Sequence, residues 1–133
     1  MTGKIFRYNL KTGVPMGFFH DGLNPLRLQW LDDFMVDSDC ATLIGAGYHD
    51  GTVRRMDPST NTSAVMHTGL TNPTAVLWGP SGDPNFRDTS LYVTEGGSFE
   101  SSTTSRRIVE IPNARAPVVP SQVRCWNYLE GQG

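Results

Sequence analysis

The sequence has few cysteines, no long apolar run and no concentration of basic charge, and each absence excludes a class of protein. Its two cysteines, Cys40 and Cys125, show no CxxC spacing and no neighbouring histidine pair, so they form no zinc or redox motif. No stretch of the sequence approaches the roughly 18 consecutive apolar residues that a membrane-spanning helix needs, so the sequence predicts no such helix. A formal net charge of −2 with scattered arginines gives no basic footprint for nucleic acid.

Other absences bear on the cellular compartment and on catalysis. We expect free buried thiols at Cys40 and Cys125, since a disulfide would need an oxidising compartment. The N-terminus, MTGKIFRYNLKTG, lacks the apolar run of a secretory signal, which makes the cytoplasm the default location. The sequence has no GxSxG, HExxH, P-loop or dinucleotide motif, so covalent nucleophilic catalysis has no support.

Short strand patterns separated by turn residues run along the 133 residues, and no amphipathic helix is predicted among them. The clearest strands are IFRYNL, CATLIGAGY, TVRRMDP, LYVT and RRIVEIP. The acidic stretch DDFMVDSD, residues 32–39, is predicted to be a loop. With 38% hydrophobic and 18% charged residues the composition is that of one globular domain, and we predict an all-β fold.

The sequence also repeats itself. LNPLRLQW, residues 23–30, shares Asn, Pro and Trp with TNPTAVLW, residues 71–78, so that Asn24 and Asn72 lie 48 positions apart. The same offset aligns residues 4–10 with residues 52–58. Four short strands per repeat of roughly 48 residues are typical of one blade of a β-propeller.

Three stretches, NPTAVLWG, LYVTEGG and RRIVEIP, resemble a blade of the SMP-30/gluconolactonase-like propellers. The resemblance covers residues 3–120 and implies an all-β partial propeller of four-stranded antiparallel blades. The expected division is the outer half of a blade at 3–22, blades at 23–69 and 70–120, and a tail or new blade at 121–133. A closed ring needs about four blades or more, so we expect self-association, a complementing chain, or a fragment of a longer protein.

The resemblance also implies a metal site on the propeller axis. In that family a carboxylate at the end of a middle strand and asparagines that open inner strands hold the metal. Asn24, Asn72 and Glu95 take these positions, and Gly47 stands at the Glu95 position of the preceding blade, which would then supply no acid. Oxygen ligands suit calcium or magnesium, with zinc as a further option. The alternatives are structural Asn-Pro turns and, for Glu95, a solvated hairpin residue.

A second polar group lies in GYHDG, residues 47–51. His49 and Asp50 are catalytic candidates in addition to Glu95, because a histidine can act as a general base near neutral pH. The alternative is an Asp-Gly turn with a solvent-facing histidine. Tyr48 and Phe99 are candidates for contacting substrate, whereas the tryptophans at the repeated strand positions are expected in the core.

Three functions are therefore open. The first is a metal-dependent lactone or ester hydrolase that acts at the channel mouth, where a cation polarises the carbonyl and a carboxylate activates water. The second is a metal-free biosynthetic enzyme for small hydrophobic substrates, of the hetero-Diels–Alder pericyclase type seen in propellers resembling this family. The third is a non-catalytic binding or assembly module.

Overall fold

The computed structural model describes residues 4–19, 31–96 and 106–116, and these are all-β. No described segment is helical, and the same residues contain no helix of the length and apolar character that a membrane crossing requires. The strands of the described residues are β1 (Ile5–Tyr8), β2 (Pro15–Phe19), β3 (Leu31–Val36), β4 (Leu43–Gly47), β5 (Thr52–Asp57), β6 (Thr62–His67), β7 (Pro73–Trp78), β8 (Leu91–Glu95) and β9 (Arg107–Ile111). The all-β prediction is confirmed.

The strands form three antiparallel sheets, and within each sheet the strands follow one another in chain order. The first sheet is β1-β2, the second is β3-β4-β5-β6 and the third is β7-β8-β9. Hairpin connections of this kind need only short turns, which the sequence supplies at Lys11–Gly13 and His49–Gly51. We call them the two-stranded, four-stranded and three-stranded sheets.

The first strands of the two larger sheets share an irregular register. Leu31 pairs with Gly47 and Asp33 with Ala46, so one residue of β3 bulges between them. In the third sheet Pro73 pairs with Glu95 and the bulge again follows the first pair. A bulge at the same place in two sheets identifies β3 and β7 as equivalent strands.

The observed strand β3 corrects the prediction that residues 32–39 form a loop. Residues 31–36 are strand β3, and the first copy of the repeat, residues 23–30, lies outside the described residues. The bulge explains the misleading pattern, because it leaves Asp32, Asp33 and Phe34 exposed while Leu31 and Met35 pack inward. An acidic, exposed stretch can therefore be one edge of a sheet.

The outer hairpins agree with the 48-residue alignment of the sequence. Ile5 pairs with Phe19, and Val53, 48 positions after Ile5, pairs with His67. Tyr8 likewise pairs with Pro15, as Met56 pairs with Ser63. The two-stranded sheet therefore has the register of the β5–β6 half of the four-stranded sheet.

The main core lies between the four-stranded and three-stranded sheets. Its buried members come from both sheets and from the segment that joins them: Ile44, Val53, Leu70, Val76, Leu91 and Val93. A smaller cluster on the opposite face of the four-stranded sheet places Met56 against Ile5, Leu31 and Leu43. Because successive side chains of a strand point to opposite faces, β5 contributes Val53 to the main core and Met56 to the smaller cluster.

The cysteine prediction is wrong for Cys40. This residue lies in the loop between β3 and β4, where it is exposed and disulfide-bonded rather than a free buried thiol. The sequence contains one other cysteine, Cys125, which lies outside the described residues.

Candidate functional site

Glu95 ends β8 and is buried there with two strong partners. One carboxylate oxygen, Oε1, accepts a hydrogen bond from the backbone N–H of Thr71 at 2.8 Å. The other, Oε2, accepts from Nε of Arg107 at 2.6 Å. Burial raises the pKa of Glu95, but the hydrogen bonds from Arg107 and Thr71 and the charge of Arg107 outweigh burial and lower it. Glu95 is therefore an ionised carboxylate held from both sides.

Asn72 lies beside Glu95 at the start of β7. Its backbone is left-handed, with φ of 48°, and its carbonyl accepts a hydrogen bond from the Gly96 N–H at 2.9 Å. Asparagine tolerates this conformation better than most residues, which gives Asn72 a structural role in the turn. The structure thus places Asn72 and Glu95 at the same strand end.

Asp50 shapes the hairpin between β4 and β5. Its Oδ1 accepts from Thr52 Oγ1 at 2.6 Å and from the Thr52 N–H at 3.2 Å, and its Oδ2 contacts Arg54 at 3.4 Å. A Cβ atom on Gly47 would collide with Asp50 Oδ1, so the carboxylate occupies the space above that glycine.

The position of Asp50 corrects the expectation that this sheet supplies no acid. Gly47 pairs with the first residue of β3 as Glu95 pairs with the first residue of β7. The Asp50 carboxylate reaches the Gly47 position from the turn rather than from the strand. Each of the two larger sheets therefore places one carboxylate, with an arginine beside it, at the same strand end.

A short hydrogen-bonded path joins these two acids. Gly51, next to Asp50, accepts a hydrogen bond from the Leu70 N–H at 3.1 Å, and the following residue, Thr71, donates to Glu95. We call this end of the sheets, formed by residues 47–52, 70–73 and 95, the Glu95 edge. It contains four of the sequence-predicted site residues in addition to Glu95, namely Tyr48, His49, Asp50 and Asn72.

Tyr48 and His49 give the Glu95 edge an aromatic surface. Their rings meet edge to face with centroids 5.3 Å apart, and Tyr48 is half-buried while His49 is exposed. This exposure agrees with a solvent-facing histidine in an Asp-Gly turn. The remaining predicted residues, Phe99 and Asn24, lie outside the described residues.

Arg54 is a buried cation close to the Glu95 edge. Its side chain is almost fully buried, its guanidinium contacts Asp50, and its Nε has no hydrogen-bond partner among the residues that the structure describes. Together with Arg107 it gives this end of the sheets one arginine for each acid.

A second polar cluster, at the opposite strand end, has no counterpart in the sequence predictions. Asp37 is buried there and accepts hydrogen bonds from the Ser38 N–H at 2.7 Å, from Trp78 Nε1 at 2.9 Å and from Arg55. Arg115 lies over the Trp78 ring at 4.0 Å and within 3.9 Å of Asp37. We call these five residues the Asp37 cluster.

The Asp37 cluster is built to hold the sheets together. Asp37 and Arg55 belong to the four-stranded sheet and its loop, whereas Trp78 belongs to the three-stranded sheet. Burial lowers the pKa of Arg115, while the charges of Asp37 and Asp88 act in the opposite direction. Both carboxylate oxygens of Asp37 already accept hydrogen bonds. The Asp37 cluster is therefore poorly suited to binding a ligand through this carboxylate.

Metal ligands do not converge among the described residues, which contain no group of three or more His, Cys, Asp or Glu side chains that could hold an ion. Comparison with known proteins adds no candidate chemistry: no family model, curated protein or solved structure matches this chain.

Proposed function

We propose that the chain is a segment of a β-propeller resembling the SMP-30/gluconolactonase type, in which the Glu95 edge forms part of a metal-free site for a small organic molecule. The fold part of the proposal is supported by the stacking of antiparallel sheets that repeat the same bulge and the same hairpin register. Sheets of this kind packed face to face are the units of a propeller.

The metal-free part rests on the surroundings of Glu95. A calcium or magnesium ion requires several oxygen ligands with open lone pairs. Both Glu95 oxygens already accept hydrogen bonds, and the Arg107 guanidinium beside them repels a cation. This carboxylate is better suited to fixing the Leu70–Thr71 turn and Arg107 than to coordinating an ion.

The binding surface that remains at this edge is aromatic and polar. Tyr48 supplies an apolar ring, and the adjacent His49 supplies a ring that donates or accepts a proton. Such a surface suits a small hydrophobic substrate that is held in a reactive shape, and orientation alone accounts for large rate effects in reactions of the pericyclase type. A non-catalytic binding module would use the same surface without a reaction.

Metal-dependent hydrolysis of a lactone or ester is the second candidate. The observation that favours it is the location of Asn72 and an ionised Glu95 at one strand end. In that case a calcium, magnesium or zinc ion would displace Arg107 from Glu95, and the cation would polarise the carbonyl of the lactone.

NMR titrations of ¹⁵N-labelled protein separate these functions. We expect indole and δ-valerolactone, used as apolar and lactone probes, to shift the amide signals of Tyr48, His49 and Thr71, and calcium chloride to leave them unchanged. Tyr48→Ala should abolish the shifts, whereas Leu10→Ala, in the exposed turn between β1 and β2, should leave them intact. Calcium-induced shifts that disappear in Glu95→Gln and Asn72→Ala would establish the hydrolase instead. No response at this edge to either probe or to calcium would contradict both.

A further inference from the structure

The three-stranded sheet has one buried and one exposed face. Leu91 and Val93 point into the core, whereas Leu77 and Ile108, on the opposite face, are 65% and 68% exposed. These two residues are large and apolar, and they stand on β7 and β9, the two strands that flank β8 in the sheet.

The four-stranded sheet shows how such a face is normally covered. Val53 pairs with Ala46 in the register in which Ile108 pairs with Thr94, and Met35 pairs with Ile44 as Leu77 pairs with Tyr92. Val53, the counterpart of Ile108, is 0% exposed because the three-stranded sheet packs over it. The same position is therefore buried in one sheet and open in the next.

The two-stranded sheet exposes the complementary face. Ile5 points toward the four-stranded sheet and packs with Met56. Phe6 and Tyr8, on the other side of β1, are 56% and 52% exposed. Their register counterparts, Arg54 and Met56, are buried on the face of the four-stranded sheet where Met56 packs with Ile5.

We propose that a second copy of this chain covers these faces, with the two-stranded sheet of one copy packed on the exposed face of the three-stranded sheet of the other. The interface would repeat the face-to-face packing that already joins the sheets within one chain. It is heterologous, because different faces meet, and two copies can satisfy both faces of each by closing into a ring of six sheets. This inference depends on the repeat and stands whether or not the Glu95 edge binds a small molecule.

Sedimentation velocity of the 133-residue chain provides the first test. We expect a dimer at micromolar concentration, and we expect Ile108→Glu or Phe6→Glu to weaken it at least about 30-fold, the effect of losing a central apolar contact. Leu10→Glu is the matched control, because Leu10 is 90% exposed in a turn outside both faces. Circular dichroism should show that all three variants keep the β-sheet signal. A wild-type chain that stays monomeric at about 100 μM, or a dimer that both face variants leave intact, would overturn the proposal.

Mixing the two face variants tests the head-to-tail arrangement directly. A dimer of one Ile108→Glu chain and one Phe6→Glu chain contains one unaltered interface, whereas a dimer of either variant alone contains none. The mixture should therefore associate more tightly than either variant by itself. If the dimer instead joins like faces, such as two three-stranded sheets, the mixture gains no unaltered interface and will not recover. A variant that failed to fold would also fail in the mixture, but the circular dichroism spectrum identifies that case independently of association.

Discussion

At the scale of single residues, Glu95 links local hydrogen bonding to the pH dependence of stability. The carboxylate is buried and its pKa is below the ordinary value of 4.5. A depressed pKa means that the folded state favours the ionised form, so its stabilising contribution is complete above that ordinary value. The contribution is lost as the pH falls through the lower pKa of the folded state.

We predict that Glu95→Gln costs about 1.5–3 kcal/mol at neutral pH, since it removes charged hydrogen bonds and leaves Arg107 without its carboxylate. The difference in unfolding free energy between wild type and variant should shrink as the pH falls from about 7 to about 3. Urea unfolding at a series of pH values measures it. Other titrating groups, such as Asp39 and Asp57, are shared by both proteins and cancel in the difference. A difference that is constant with pH would show that Glu95 is not held as an ion.

We expect Asp37 to contribute more to the unfolding free energy than Glu95, because it contacts two arginines rather than one. Asp37→Asn keeps the size of the side chain but leaves two arginines, Arg55 and Arg115, next to a buried neutral amide. We expect a loss of about 3–5 kcal/mol in unfolding free energy, because breaking a buried pair leaves uncompensated charge.

Asp33→Asn is the matched control for this change. Asp33 is an exposed acid of β3, and its carboxylate bonds the neighbouring Phe34 N–H at 2.9 Å. We expect the control to stay within about 0.5 kcal/mol of wild type. Equal effects of the two substitutions in urea unfolding would show that the Asp37 cluster does not hold the sheets together.

At the scale of elements, Gly51 brings the turn of the β4–β5 hairpin against the segment that leads into β7. Gly51 has φ of 65°, and a Cβ atom there would collide with the carbonyl oxygen of Leu70. Gly51→Ala should therefore push away the Leu70–Thr71 turn that donates to Glu95. We predict a loss of more than about 2 kcal/mol, which combines the left-handed backbone cost with the collision.

Gly82→Ala isolates the backbone part of that effect. Gly82 has φ of 79°, and no atom lies within 4 Å of a Cβ built on it. Its substitution should cost about 1–2 kcal/mol, which is the left-handed penalty alone. Thermal unfolding of both variants compares them, and a Gly51→Ala variant no less stable than Gly82→Ala would contradict the close contact with Leu70.

The hairpins could be predicted from sequence, whereas β3 could not. The Asp-Gly turn and the apolar residues around it locate β4 and β5, and the signal depends only on residues near one another. The 48-residue alignment fails for β3 because the loop after β7, residues 79–90, is twice as long as the loop after β3, residues 37–42. A difference in loop length changes the spacing between equivalent strands, and no residue pattern near β3 indicates that change.

The same distinction separates the predicted and the missed site residues. Glu95 could be located because it ends the run LYVTE before two glycines. Its partner Arg107 depends on the register of a strand 12 residues away. Asp37 was missed because it stands in an acidic stretch that looks solvated, while its donors Arg55 and Trp78 lie 18 and 41 residues further along.

At the scale of the whole molecule, the disulfide of Cys40 bears both on the stability of the fold and on the redox compartment in which the protein folds. The bond leaves from the β3–β4 loop, which also contains Asp37 and Ser38 of the Asp37 cluster. A cross-link reduces the entropy of the unfolded chain, and its removal typically costs about 2–4 kcal/mol. Cys125 is the only other cysteine of the sequence, so a bond within one chain requires it.

We predict that thiol titration of the urea-denatured protein detects no free thiol before reduction and two per chain after it. Reduction should lower the unfolding temperature of the wild type and leave that of a Cys40→Ser, Cys125→Ser variant unchanged. Non-reducing electrophoresis distinguishes a bond within one chain, which migrates as a monomer, from a bond between two copies, which migrates as a dimer. Two free thiols per chain in the unreduced protein would contradict the bond. A disulfide within one chain would make an oxidising compartment a better expectation than the cytoplasm, because cytosolic thiols are kept reduced.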